Sequence, residues 1–397
     1  MNSPGVKRLI YLAPVPLNSP AQRPHHFAYW ARQRLGCEMV WVQPYPVRLP
    51  RPGDLRRWLP SARAARAELA PAWHDAPWLQ VLAAPGLPVE PLPGGAAVIA
   101  WQQRALRARL HALLREPGTW LVIGRPSGLA LELCTATRGE RVLYDVMDDM
   151  AEFSRGLSQR WMRQAHALLG QQAQTVWGSS RRIVETLASR QGAAPVLVRN
   201  GTVTWKESAP TPDMPGIGQA SHADAPLVLG YVGTIARWFD WPLLLALARA
   251  LPEVRFELVG PMEGAVPRGL PSHVRLHGPV PHEQVFPLMR RWHAGLIPFR
   301  HDALTASVDP VKYYEYRACG LPVLATLFGE MPEHARQDDG VWPLETLVAA
   351  ELPERLHRWH RSLAERHAVG LPLAPPFLRQ ATWAARFDAG ARACGWL

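Results

Sequence analysis

At 397 residues, 48% hydrophobic and 19% charged, the chain exceeds what one compact core usually serves and is too apolar for a disordered polymer, so it reads as a filled protein of two domains. Its net charge of +11 rests on arginine, the only lysines being Lys7, Lys206 and Lys312. With no RNA- or DNA-binding motif beside it, that charge argues against nucleic acid and leaves three readings: anionic lipid head groups, diphosphate substrates, or a merely solvated basic surface.

The amino terminus, MNSPGVKRLIYLAP, runs into a strand without the apolar core and cleavage site of a signal peptide, and no stretch reaches the ~20 apolar residues of a bilayer span. Cys37, Cys134, Cys319 and Cys394 share no short spacing. Together these features set the expectation of a cytoplasmic protein with reduced thiols, without a disulfide framework or zinc site.

Short Val-, Ile- and Leu-rich runs alternate with helical patterns, the pattern of strands buried on both faces of a parallel sheet. In the first half the strands fall at Arg8 to Ala13, Met39 to Gln43, Trp120 to Ile123, Val142 to Val146, Thr175 to Trp177 and Val196 to Val198, with a helix over Ser180 to Arg190 capped by Ser179 or Ser180. From Val47 to Gly95 the chain is rich in Arg, Pro and Trp, and Leu55 to Leu69 reads as a basic amphipathic helix, on the surface or against a membrane. Trp205 to Pro226, with no periodic apolar face, reads as a linker.

The alternation then restarts, with strands at Leu227 to Val232, Val254 to Val259, Val274 to His277, Gly295 to Pro298 and Pro322 to Thr326, and helices at Trp241 to Ala250, Gln284 to Arg291 and Val311 to Ala318. The stretch from Leu352 is helical, broken by LPLAPPF. The expected organisation is α/β: two Rossmann-like, doubly wound parallel-sheet domains, 1–204 and 227–375, joined by the linker 205–226, with a carboxyl-terminal helix in 376–397 that folds back on the first domain.

Two segments carry chemistry. In GYVGTIARWFD a strand runs into Gly233 and Thr234, where a backbone can approach a phosphate, with Arg237 as cationic partner; a tight turn and a surface arginine are the plainer reading. No G-x-G-x-x-G is present, so a dinucleotide cofactor is not supported. In SVDPVKYYEYRACGLPVLAT, Asp309 and Pro310 suit a helix start that presents Lys312 and Glu315 on one side. An ammonium suits phosphate oxygens and a carboxylate suits two ribose hydroxyls; an i,i+3 surface ion pair is the alternative.

These segments, with ELVGP from Glu257, HGPVPHEQV from His277 and LIPF from Leu296, resemble retaining glycosyltransferases of the GT-B fold. The resemblance is to the large family 4 class (glycosyl transferase group 1), and within it to bacterial enzymes of polysaccharide assembly related to teichuronic acid transferases. It covers roughly Leu227 to Thr326. QRPHHFAYWA from Gln22, YDVMDDM from Tyr144, GSSRRIVETLA from Gly178 and RNG at Arg199 to Gly201 extend it more loosely.

The resemblance implies two domains facing a cleft and transfer of a sugar, with retention, from a nucleotide-diphosphate-sugar to a glycan or lipid-linked acceptor in cell-surface polysaccharide synthesis at the inner face of the membrane. Donor binding then falls to Gly233, Thr234, Arg237, Lys312 and Glu315, with Arg237, Lys312 and Asp309 in the catalytic centre and no metal or other cofactor needed. The family's first acidic residue falls on Ser307, so Asp309 is expected to take over sugar contacts. Acceptor-side candidates are Arg23, His25 and His26, in a loop after the first strand, and Asp148 and Asp149. Two rival functions share the donor site: a nucleotide-sugar epimerase of the same fold and an inactive nucleotide-sugar-binding scaffold.

Overall fold

The computed structural model describes residues 5–50, 73–188, 194–203 and 226–397. The connection read at Trp205 to Pro226, but for Pro226 itself, and the helix read at Leu55 to Leu69 lie outside these residues. The chain divides into two compact units, the first formed by Met1–Arg199 with Arg386–Leu397 and the second by Asn200–Ala385.

The first unit is built on a seven-stranded sheet in the order β3-β2-β1-β4-β5-β6-β7. Its strands are β1 (Arg8–Leu12), β2 (Glu38–Val42), β3 (Leu79–Leu82), β4 (Thr119–Ile123), β5 (Val142–Val146), β6 (Thr175–Gly178) and β7 (Val196–Leu197). All neighbours pair in parallel. Helices α1 (Arg23–Leu35), α2 (Gly95–Gln102), α3 (Arg104–Arg115), α4 (Gly128–Ala136), α5 (Gly156–Gln172) and α6 (Arg181–Ala188) connect them. Ser180 caps α6, its Oγ accepting from the Ile183 amide at 3.3 Å, while the Ser179 hydroxyl donates to the Met147 carbonyl.

The second unit repeats the plan with six parallel strands in the order β10-β9-β8-β11-β12-β13. They are β8 (Val228–Val232), β9 (Arg255–Val259), β10 (Val274–His277), β11 (Ala294–Ile297), β12 (Val323–Ala325) and β13 (Val341–Pro343). Its helices are α7 (Trp241–Ala250), α8 (His282–Met289), α9 (Val311–Ala318), α10 (Met331–Gln337) and α11 (Leu352–Ala368), and α12 (Trp383–Ala393) runs on into the first unit. Asp240 caps α7, accepting from the Leu243 amide. Leu229, Tyr231, Phe256, Leu258, Leu296 and Leu324 are wholly buried, which is why the central strands read as unbroken apolar runs.

Both orders contain a point where adjacent strands lead off in opposite directions, β1 beside β4 and β8 beside β11. Open α/β sheets bind ligands at the carboxyl ends of the strands flanking such a point. The second unit's candidate residues follow from that rule.

Within the first unit the residues after Arg386 complete the core. Phe387 meets Phe27 edge-on at 5.5 Å, and the indole N–H of Trp30 donates to Asp388. All four cysteines are buried free thiols, and burial pushes the Cys37 and Cys319 thiols up to about 12.

Candidate functional site

β8 ends at Val232, and the next residue, Gly233, takes φ 137, a conformation that side-chain-bearing residues avoid. β9 ends the same way at Gly260, φ 136. The Gly233 amide donates to the Val259 carbonyl at 2.8 Å, and a Cβ on Gly260 would stand 2.2 Å from the Gly233 carbonyl oxygen. The two glycines thus let neighbouring turns touch backbone to backbone. Thr234, half-buried, follows, its carbonyl accepting from the Tyr231 hydroxyl at 2.8 Å.

Lys312 lies directly over this turn. A Cβ on Gly233 would meet its Cε at 2.2 Å and its Nζ at 2.6 Å, and Nζ sits 5.9 Å from the centre of the Tyr231 ring. Burial lowers the Lys312 pKa, and the Glu315 charge opposes that. Lys312 and Glu315 are one turn apart on α9, yet they make no ion pair with each other, and neither has a hydrogen-bond or ion-pair partner among the described residues. A surface ion pair is therefore not what this spacing forms. The opposite side of α9 is fixed by Asp338, which accepts from Arg317 Nε at 2.7 Å, Arg317 Nη2 at 2.9 Å and the Tyr313 hydroxyl at 3.0 Å. Helix position is thereby set by buried bonds, leaving Lys312 and Glu315 available.

Asp309 departs from its sequence reading. It does not cap α9, whose cap position is Pro310, and its carboxylate is 2% exposed. Oδ2 accepts from the Asn200 amide at 2.9 Å and Oδ1 from His334 Nε2 at 2.9 Å, while the Tyr314 hydroxyl reaches both oxygens. The Asn200 side-chain amide donates in turn to the Asp309 carbonyl at 2.6 Å. With these donors in place it is a buried structural anchor, not a sugar ligand. Ser307 is also buried, and its Oγ finds no hydrogen-bond partner among the described residues. Arg237 is exposed in the connection from β8 to α7.

The acceptor-side candidates of the first unit are likewise corrected. Arg23, His25 and His26 lie in the first turn of α1, not in a loop. Arg23 is 2% exposed and clamps Asp145 from Nε and Nη2, the latter at 2.7 Å, while Nη1 donates to the Val198 carbonyl at 2.9 Å. Such a pair holds β5 and the end of β7 to α1. His25 is buried with both ring nitrogens taken: Nε2 donates to the Leu17 carbonyl and Nδ1 accepts from the Gln22 amide. That fixes a neutral tautomer and removes it from proton transfer. His26 is half-buried beside it.

Asp149 accepts from the Ala151 amide and so caps a short turn. Asp148 is half-buried with no hydrogen-bond partner among the described residues, and desolvation pushes its carboxyl up to about 7, against the pull of Arg23 and with a push from Asp149. Sequence reasoning missed Gly260, Asn200, His334 and Asp338, which hold the second unit's site from distant positions. Two of them lay in segments of the resemblance without a role of their own: Gly260 in ELVGP, placed after β9 as Gly233 is after β8, and Asn200 in RNG.

Residues 226–363 match the family described as Glycosyl transferases group 1. Among solved structures, HepE of Anabaena in complex with UDP and glucose is similar at 14% identity and TM-score 0.62, over 98% of this chain and 100% of that one. Sucrose-phosphate synthase of Thermosynechococcus elongatus is similar at 14% identity and TM-score 0.63, over 98% of each chain. WaaG, a glycosyltransferase involved in lipopolysaccharide biosynthesis, gives 13% identity and TM-score 0.58 over 98% of this chain and 100% of its own. At these identities the likeness is one of fold, the two-sheet GT-B architecture. No curated protein matches the chain by sequence.

Proposed function

We propose, with the match of residues 226–363 to the group 1 glycosyltransferases as premise, that the chain moves a sugar from a nucleotide-diphosphate-sugar to a glycan or lipid-linked acceptor, with retention of anomeric configuration. One observation carries the reading: Lys312 and Glu315 stand one turn apart on α9 without partners among the described residues, and Lys312 lies over Gly233 at the carboxyl end of β8. Lys312 then meets the diphosphate and Glu315 accepts from the ribose hydroxyls. Arg237 and Thr234 lie in the same connection and complete the donor contacts.

As the bond to the sugar breaks, negative charge gathers on the leaving diphosphate. A fixed ammonium in a desolvated setting stabilises that charge with little reorganisation. This arrangement asks for no metal ion, so transfer is expected to survive a chelator. The HepE complex, solved with UDP and glucose, supports a uridine nucleotide as the first donor to try.

A place at the inner membrane face in cell-surface polysaccharide synthesis fits one surface of the first unit. Among the described residues no helix is long and apolar enough to cross a membrane. The short α2, however, exposes Val98 and Trp101, the latter 67% exposed with Arg104 at 5.3 Å from its ring. Exposed tryptophan flanked by arginine suits an anionic lipid interface.

The test is a thermal-shift panel of UDP-, GDP- and dTDP-sugars followed by a transfer assay with the responding donor. Wild-type-like transfer by both Lys312→Ala and Glu315→Ala would end the reading. Donor binding without turnover on any acceptor extract would instead support the inactive scaffold, and sugar isomerisation of donor alone the epimerase. Sedimentation with phosphatidylglycerol vesicles, lost on Trp101→Ala, checks the membrane contact.

A further inference from the structure

We infer that the first unit carries an oxyanion site of its own, built around Arg125, and that, on the reading proposed above, it receives an acidic group of the acceptor borne on an apolar body. The place is where β1 and β4 lie side by side and their connections part. An open pocket there is lined by Leu12, Val42, Val47 and Leu129, with Tyr45 and Arg125 among its polar members.

The neighbouring backbone donors are already taken. At the start of α4, Ser127 Oγ accepts from the Ala130 amide, and Glu90 Oε1 accepts from the Gly128 amide at 2.9 Å and from the Tyr45 hydroxyl at 2.9 Å. The Tyr45 oxygen accepts in turn from the Leu129 amide. The helix start is thus closed by the protein itself, and the group that remains is the Arg125 guanidinium.

Arg125 makes no hydrogen bond or ion pair among the described residues, and its Nε is shut off from water without a partner. Glu90 is near enough for its charge to act on Arg125, and its Oε2 has no hydrogen-bond partner among the described residues, but Oε1 is taken by Tyr45 and Gly128, no ion pair with Arg125 forms, and the charge of Arg48 acts in the opposite sense. A guanidinium nitrogen shut off from water without an acceptor is costly, and native structures keep such a group where something completes it. An oxyanion would supply both charge and acceptor lone pairs in the fork geometry arginine prefers. The apolar walls favour a ligand in which that oxyanion is attached to hydrocarbon or a sugar face.

Isothermal titration of the full chain with dodecyl phosphate, inorganic phosphate and neutral dodecyl maltoside tests this. Dodecyl phosphate is expected to bind, and Arg125→Gln to weaken it by about tenfold or more, while UDP affinity and melting temperature stay at wild-type values and show that the variant is folded. Binding of dodecyl phosphate but not inorganic phosphate assigns an amphiphilic source, and equal binding of both a free anion. Unchanged affinity in Arg125→Gln, equal binding of the neutral detergent, or no binding of either phosphate overturns the inference. On the donor reading UDP binds the second unit, so absence of UDP binding would count against that reading and not against the Arg125 site.

Discussion

Asp309 and Glu315 sit in one seven-residue segment, and as letters they are equivalent acids beside a lysine. The structure gives them opposite fates. Asp309 is sealed at 2% exposure among hydrogen bonds from Asn200, Tyr314 and His334, whereas Glu315 keeps its carboxylate half-buried with no partner among the described residues. A carboxylate saturated with buried donors contributes to the fold, and one left unsatisfied beside a desolvated lysine is available to a ligand. Stability and activity should therefore separate across six positions.

The largest effect is expected at the sealed end. Asp309→Ala leaves the Asn200 amide, the Tyr314 hydroxyl and His334 without their acceptor, and should cost about 3–5 kcal/mol in denaturant unfolding. A loss below about 1 kcal/mol would show that the network is ornamental and reopen Asp309 as a ligand. Lys312→Ala should instead lower transfer by about 10²–10³-fold, with an unfolding midpoint near wild type.

Glu315→Ala is the finer test of the same contrast. Donor affinity should fall by about tenfold, and stability should move by no more than about 0.5 kcal/mol; a large stability loss would place Glu315 with Asp309 after all. The smallest effect concerns Asp148. Its carboxyl is pushed up to about 7, so folding binds its proton more tightly than the unfolded chain does, and stability falls as pH rises from about 4 towards that value. Asp148→Asn removes the penalty, giving a gain of about 1 kcal/mol at pH 8 after allowance for solvent screening and none at pH 3.5. Melting curves of the two proteins across this range check the sign.

The central strands were legible because burial on both faces leaves a continuous apolar run, and α9 was legible to the residue. Other elements were not. β3 is only Leu79–Leu82, at the sheet edge with Gln80 and Val81 exposed, so it lacks the apolar run that marks the others. The start of α1 was read as a loop because its box is unusual: Gln22 stands at the cap, and His25 returns the bond that a glutamate or glutamine usually makes. Edge strand β13, with Pro343 at its end, was hidden likewise.

The placement of the candidate site was legible where the signal is local. Lys312, Glu315 and Gly233 come from short motifs with a mechanism. Asp309 and Arg23 were misread because what occupies them comes from afar: Asn200 lies 109 positions from Asp309, and Asp145 lies 122 from Arg23. A single sequence does not reveal which acids and bases have already found each other.

The return of Arg386–Leu397 to the first unit has a practical consequence for dissecting the protein. No single cut separates the two units, because a chain ended at 199 would lack Phe387 and Ala391, both fully buried, and would open the ring cluster of Phe27 and Trp177. Near the crossings the chain also pairs with itself, the Thr202 amide bonding the Ala381 carbonyl and the Trp383 amide the Thr202 carbonyl. Isolating the first unit would require its tail to be grafted back, for instance by joining residue 199 to residue 386 through a flexible connector.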